Sequence, residues 1–229
     1  MSKVVLVTGA NQGIGLAITE RFASAGFDTI LSGRNAKAVE AQVSRLEQAG
    51  YSVRALRLDV GDADEVSNAL NRIAADGLQV SVLINNAGIL PDGTLAEMPI
   101  ADIEASFAIN VLGPIRLIRA LAPGMAQQGY GRIVNVSSSW SSFANGLGGP
   151  GAYGVTKAAL NAATVRFARE LPSSIKVNAM DPGWVRSRMG GQSATRAPEQ
   201  AAQTAFALGT LPNNGPTGKF FFDDRETAW

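Results

Sequence analysis

The sequence predicts an α/β fold, a doubly wound parallel sheet of about seven strands with helices on both faces. Three observations predict it. Short apolar runs of strand length alternate with longer segments whose apolar residues recur at helical spacing. Val4 to Val7 and Val80 to Ile84 read as strands buried on both faces, while Val53 to Leu58 alternates. The first of them passes through a glycine-rich turn directly into a helical pattern, the unit from which nucleotide-binding sheets are built. At 229 residues the chain is expected to form a single dinucleotide-binding domain over residues 1–229, with no internal repeat or linker.

The opening unit is the strand Val4 to Val7, a turn with glycines at 9, 13 and 15, and a helix from Ile14 to Ala25. A strand that enters a helix this way aims unpaired backbone N–H groups at whatever lies above the turn, a ready site for phosphate. Gly9 suits the tight turn, Gly13 the close approach of a pyrophosphate and Gly15 close packing of helix on strand. The spacing is Gly-x-x-x-Gly-x-Gly rather than G-x-G-x-x-G, so a turn that merely needs its glycines is the competing reading.

The second strand, Thr29 to Ser32, ends at Gly33-Arg34-Asn35. Dinucleotide folds place an acidic residue near this point to hold the ribose 2′-hydroxyl. Here the neighbourhood holds Gly33 and Arg34 with no carboxylate, and a guanidinium suits a 2′-phosphate, so the expected cofactor is NADP(H). A solvated arginine at a helix start is the alternative. Asn35 caps a helix from Ala36 to about Ala49, carrying Val39, Val43 and Leu46 on one face and ending at Gly50. Val53 to Leu58 is the third strand. Asp59-Val60 at its end could meet an adenine ring, or Asp59 or Asp62 could cap the helix Ala63 to Ala75.

Val80 to Ile84 is the fourth strand, and Asn85-Asn86-Ala87-Gly88 at its carboxyl end offers the small and amide residues that a nucleotide needs beside it. After a loop with two prolines, a long helix is expected from about Ala101 to Gln127. Gly113-Pro114 inside it should kink it, just downstream of Asn110. Ile133 to Val136 is the fifth strand and leads to Ser137-Ser138-Ser139. A Gly/Ser-rich loop then reaches Tyr153, which opens a helix to about Leu171 with Lys157 on the same face. Val177 to Met180, a loop over about 184–197, a helix from Pro198 to about Leu208 and a last strand Lys219 to Phe222 complete the chain.

Composition narrows the chemistry. A net charge of +1 gives no reason to expect nucleic acid or an anionic membrane. No apolar run is expected to reach transmembrane length and no signal-peptide pattern is read at the start, so a cytoplasmic protein is expected. Cysteine and histidine are both absent. That excludes disulfides, thiol nucleophiles and the commonest metal ligand, so no metal is expected and acid–base work falls to Tyr, Lys or a carboxylate.

These marks, in this order, resemble the short-chain dehydrogenases/reductases in their single-domain form, over nearly the whole chain. They are Thr8-Gly9-x-x-x-Gly13-Ile14-Gly15, Asp59-Val60, Asn85-Asn86-Ala87-Gly88, Asn110, Ser138, Tyr153-x-x-x-Lys157 and Pro182-Gly183. Gly183-Trp184-Val185 and the Lys219-Phe220-Phe221-Phe222 ending look most like the carbonyl reductases of that family. The resemblance implies a Rossmann-type fold, an aldehyde or ketone reduced reversibly to an alcohol, and a homodimer or homotetramer built on the two long helices. It implies cofactor contacts from Gly9, Asn11, Gln12, Gly13, Ile14, Gly15, Arg34, Asp59, Val60, Asn86, Ala87, Gly88, Tyr153, Lys157, Pro182, Gly183, Val185 and Ser187. Ser187 stands where the family usually has threonine.

The resemblance also implies the roles in catalysis. Tyr153 is the acid/base; Lys157 one helical turn away, with the positive charge of an oxidised nicotinamide, lowers its pKa, and Lys157 also holds the nicotinamide ribose. Ser138 hydrogen-bonds the substrate carbonyl, with Ser139 the alternative, and Asn110 holds a water that links Lys157 to solvent. The gap from Ser138 to Tyr153 is slightly longer than usual, so the loop through Trp140 and Phe143 is expected to wall the substrate. Trp184 and Met189 are expected in the pocket, with a core position the alternative for Trp184. A catalytically idle NADP(H)-binding sensor is the rival function. A lyase or epimerase is a second, weakened by the short C-terminal part, about 46 residues after Gly183.

Overall fold

The alternation of side chains along the first strand decides which helices cover which side of the sheet. In the computed structural model, which describes residues 3–229, the first strand is β1 (Val4–Val7), and its residues point alternately into two cores. Val5 and Val7 join Ile18, Phe22, Val39, Leu46, Ala201 and Leu208 on one face. Val4 and Leu6 join Val66, Ile73, Leu117, Ile118 and Met125 on the other. Both faces are therefore buried, which is why Val4–Val7 reads as an unbroken apolar run.

The elements that follow are α1 (Gly13–Ser24), β2 (Asp28–Gly33), α2 (Ala36–Gln48), β3 (Val53–Arg57), α3 (Ala63–Ala75), β4 (Val80–Asn85), α4 (Ile100–Phe107), α5 (Gly113–Gln127), β5 (Gly131–Val136), α6 (Tyr153–Glu170), β6 (Ile175–Asp181), α7 (Pro198–Gly209), β7 (Phe220–Phe222) and β8 (Arg225–Thr227). The sheet order is β3-β2-β1-β4-β5-β6-β7-β8, parallel throughout except for β8, which runs antiparallel to β7. α1, α2 and α7 supply the first core; α3 and α5 supply the second, with Phe167 and Ala168 of α6 packed against it. Eight strands stand where about seven were expected, and the extra one is the polar edge strand Arg225–Thr227. Strand order reverses between β1 and β4, and the crevice above their carboxyl ends is where such sheets bind ligands.

Two helix starts settle a choice left open by the sequence. Asn35 caps α2 by accepting the Ala38 N–H at 3.1 Å. Asp62 caps α3, accepting from Asp64 and Glu65, so Asp59 is left at the crevice. The long helix is broken where the Gly113-Pro114 pair predicts a kink. Ala108–Leu112 is a π-helical turn, with α4 before it and α5 after. The cause is legible in the residues. Pro114 has no N–H to offer the carbonyl of Asn110, four residues back. Gly113 lies so close to Val60 that a Cβ would sit 2.7 Å from the Val60 carbonyl oxygen.

Within Ile100–Gln127 a window of mean hydropathy 1.3 is long and apolar enough to cross a membrane. This corrects the expectation that no apolar run has that length. Here 44% of the window is buried inside the fold, with Leu117, Ile118 and Met125 packed in the second core.

Candidate active site

Above the carboxyl ends of β1, β4, β5 and β6 lies a cavity of about 780 Å³, within the size range of small-molecule and cofactor sites. Every residue expected to touch cofactor lines it: Gly9 and Asn11 to Gly15 after β1, Arg34 after β2, Asp59 and Val60 after β3, Asn86 to Gly88 after β4, Tyr153 and Lys157 on α6, and Pro182, Gly183, Val185 and Ser187 after β6. Ser138 is in the same wall; Asn110 lies behind it.

The glycine turn fits a phosphate by its geometry. Gln12 precedes α1 without a side-chain cap, and the first turn of that helix holds no acidic residue. Its N–H groups therefore face the cavity unopposed. Gly13 has φ of +56° and faces Ser187, whose Cβ would lie 3.2 Å from a Cβ added at Gly13. A side chain there would narrow the gap between the turn and the 184–197 loop. At Gly15 a Cβ would come within 2.5 Å of the Gly9 carbonyl oxygen, so glycine is what lets α1 sit on the turn.

At the far end Arg34 is not alone. Its Nη1 lies 3.9 Å from Oδ2 of Asp59, which corrects the reading that no carboxylate stands near it. β2 and β3 pair with Gly33 opposite Arg57, so the residues just beyond each strand end become neighbours.

Burial governs the acid–base groups. Lys157 is fully enclosed; its Nζ donates to the Val136 carbonyl at 2.7 Å and lies 5.6 Å from the Tyr153 ring centroid. Burial pushes this ammonium down from 10.5 to about 8. Tyr153 moves the other way: burial first, then the nearby Asp181 carboxylate, holds its phenol well above the usual value. Loss of water here outweighs a neighbouring amine that is itself desolvated; the expected lowering of the Tyr153 pKa relies on the positive charge of an oxidised nicotinamide as well. Burial also raises the Asp181 carboxyl, opposed by hydrogen bonds from the N–H of Gly183, the N–H and hydroxyl of Ser139, and by Arg196.

These shifts give a stability test. Between about pH 8 and 10 the unfolded chain keeps a proton on Lys157 that the folded chain has lost. Folding stability should therefore rise with pH over that window, and fall above about 10, where tyrosine ionises in the unfolded chain first. Lys157→Met should be flat over the window and gain stability at pH 7. The depression corresponds to on the order of 3 kcal/mol, less roughly 1 kcal/mol for the lost bond to Val136. Urea melts of the cofactor-free protein at pH 7 and 9.5 would refute this if parent and variant ran parallel.

Ser138 and Ser139 both line the cavity. Ser139 lies beside Asp181 and helps hold its carboxyl down. Ser138 Oγ accepts the Trp140 N–H at 3.2 Å, which leaves its own proton for the cavity. Asn110 is buried in the π-helical turn, and its amide ties that turn to Ile89 and Thr156. Oδ1 accepts the Ile89 N–H at 2.9 Å, while Nδ2 donates to the Ile89 carbonyl and to Thr156 Oγ1, both at 3.0 Å. Both Nδ2 protons are spent, so a water held at Asn110 would have to donate, to the second lone pair of Oδ1 or to the main-chain carbonyl.

Trp140, Trp184 and Met189 line the cavity as expected. Trp140 meets Tyr153 edge to face at 6.1 Å, and Trp184 is 55% exposed with its indole N–H on the Gly190 carbonyl. Phe143 is not part of the wall: it is 72% exposed, because the neighbouring Ala144 N–H is drawn to the carbonyl of Trp229. Sequence reasoning missed Asp181, Ser141 and Asn161. Asp181 could have been found as the last residue of a strand ending in the site. The other two carry no sequence signal.

A protein-family model described as short chain dehydrogenase matches residues 3–198. The 3-oxoacyl-[acyl-carrier-protein] reductase of Thermotoga maritima is 33% identical over 208 residues, covering 90% of this chain and 81% of the relative. Among solved structures, an NADPH complex of a blue fluorescent protein from a metagenomic library superposes with a TM-score of 0.86 at 31% identity, over 97% of this chain and 96% of that one. NADPH-bound carbonyl reductase from chicken fatty liver gives 0.87 at 27% identity, over 100% and 99%.

Proposed function

Because the chain belongs to the short-chain dehydrogenase family, matched over residues 3–198, we propose that it is an NADP(H)-dependent oxidoreductase that reduces an aldehyde or ketone to an alcohol. The observation that carries this is that one cavity holds the glycine turn, the Ser138 hydroxyl with its free proton, Tyr153 and Lys157. NADPH in two similar structures supports the choice of cofactor.

When bound, the cofactor supplies a hydride to the carbonyl carbon. The chain's own residues do the rest. The N–H groups of α1 and the Gly9 to Gly15 turn hold pyrophosphate, Arg34 holds the 2′-phosphate, and Asp59 and Val60 flank the adenine. Asn86 to Gly88 line the nucleotide, while Pro182, Gly183, Val185 and Ser187 hold the carboxamide side. Ser138 donates to the carbonyl oxygen and stabilises charge developing there. Tyr153 delivers its proton to the same oxygen. The Lys157 ammonium holds the ribose and steadies the phenolate left behind, and Asn110 keeps the water through which that proton is replaced. Trp140, Trp184 and Met189 offer an apolar wall to the body of the substrate. A homodimer or homotetramer is part of this reading, supported by exposed Ile100, Leu112 and Val155 on the long helices.

An idle NADP(H)-binding sensor is the rival, and the intact Ser138, Tyr153 and Lys157 set favours the enzyme. NADPH consumption is expected with at least one member of a panel of aromatic, aliphatic and cyclic carbonyls that includes a 3-oxoacyl thioester. Tight NADPH binding with no consumption across the panel would favour the sensor.

A further inference from the structure

Ser138 can serve a carbonyl only if its backbone is held so that the hydroxyl faces the cavity. Ser138 caps a short 3-10 turn, Ser139–Ser141, and its carbonyl accepts the Ser141 N–H at 3.0 Å. A buried polar chain from α6 adds a second hold on that carbonyl. Asn161 lies one helical turn beyond Lys157 and is 5% exposed. Its Nδ2 donates to Ser141 Oγ at 2.7 Å, and Ser141 Oγ in turn donates to the carbonyl of Ser138 at 2.5 Å.

Chemistry and distance set the direction of this chain. An amide nitrogen can only donate, so Ser141 must accept, and its single proton goes to the Ser138 carbonyl at 2.5 Å in preference to the Ser137 hydroxyl at 3.1 Å. Turning the amide over would make Oδ1 compete for that proton and strip the Ser138 carbonyl of it. In the observed orientation Oδ1 of Asn161 is buried without a hydrogen-bond partner among the described residues. An unsatisfied buried acceptor destabilises the fold, and an apolar side chain would avoid it. Ser137 Oγ packs 3.1 Å from the same Ser141 oxygen, completing the buried cluster.

We infer that Asn161 is a positioning residue: acting through Ser141, it fixes the Ser138 carbonyl and hence the aim of the Ser138 hydroxyl at substrate. This rests on the role proposed above for Ser138. Asn161→Ala and Ser141→Ala should each lower kcat by about 10- to 100-fold, the usual cost of small misplacement at a reacting centre. NADPH affinity should stay within about twofold, since neither residue lines the cavity. The double variant should be no worse than the worse single one, because both act on one chain.

Asn161→Asp keeps the shape and guards against misfolding of the alanine variant. As a carboxylate it takes the Ser141 proton; protonated, it can donate again. Its kcat relative to parent should therefore recover as pH falls, which a merely structural role would not produce. The controls separate the two claims. If Ser138→Ala leaves kcat unchanged, the role of Ser138 is wrong. If Ser138→Ala lowers kcat but Asn161→Ala does not, or if the two losses multiply in the double variant, Asn161 does not act through Ser138.

Discussion

Replacing Tyr153 with phenylalanine is expected to lower kcat for carbonyl reduction by about 10²–10⁴-fold while leaving NADPH binding intact. The ring stays, so its edge-to-face contact with Trp140 and its packing in the wall are kept; only the proton donor is removed. Burial and the Asp181 carboxylate hold the phenol protonated at neutral pH, which is the form that reduction needs. Reduction should therefore not fall through loss of the Tyr153 proton between pH 6 and 9. Alcohol oxidation, which needs the phenolate, should climb across the same range and beyond it. Lys157 adds an opposing limit: as its ammonium is lost through about pH 8, cofactor binding should weaken above that value. Steady-state profiles in both directions, with fluorescence titration of NADPH, check each part. A phenylalanine variant that keeps more than about a tenth of kcat removes Tyr153 from general acid catalysis.

Much of this was legible in the sequence because a parallel sheet buries both faces of its strands. Val4–Val7, Val80–Asn85 and Gly131–Val136 are wholly buried, so apolar residues dominate them, although Ser81, Arg132 and Asn135 are buried there too. The glycine turn is legible because close approach leaves no room for a Cβ. What could not be read depends on contacts between distant elements. β8 is exposed and polar, Arg-Glu-Thr, and is a strand only because β7 lies beside it. The pairing of Arg34 with Asp59 exists only once β2 and β3 are in register. Asn161 and Ser141 meet because α6 packs on the turn after β5; a serine in a loop and an asparagine on a helix announce nothing alone. Asn110 lies between these cases. Pro114 marks a break in its helix, yet the partners of its amide, Ile89 and Thr156, come from elements far away in the chain.

Arg34→Leu should reverse the cofactor preference, and Asp59 is the reason. In the parent, Arg34 and Asp59 are 3.9 Å apart with side chains 59% and 31% exposed. An ion pair this open contributes only about 0–1 kcal/mol, so the guanidinium is free to turn to a 2′-phosphate. A hydrogen bond between charged groups contributes roughly 1.5–3 kcal/mol, which gives on the order of 10- to 150-fold preference for NADPH over NADH. Solvent screening and the neighbouring carboxylate both favour the lower end. Removing the guanidinium takes away this attraction and leaves Asp59 facing the phosphate unneutralised, so the ratio should pass below parity rather than stop there. Arg34→Leu combined with Asp59→Asn should bring it back to about one. Gly33→Asp is a less clean route to reversal, since a Cβ there would lie 3.2 Å from both Asn11 Oδ1 and Val39 Cγ2, and the shift it forces should weaken NADH as well. The measurement is kcat/KM for both cofactors in the parent and the three variants. A parent that prefers NADH, or an Arg34→Leu protein with the parent's ratio, would mean that Arg34 does not read the 2′-phosphate. A double variant no different from Arg34→Leu would clear Asp59 of the repulsion.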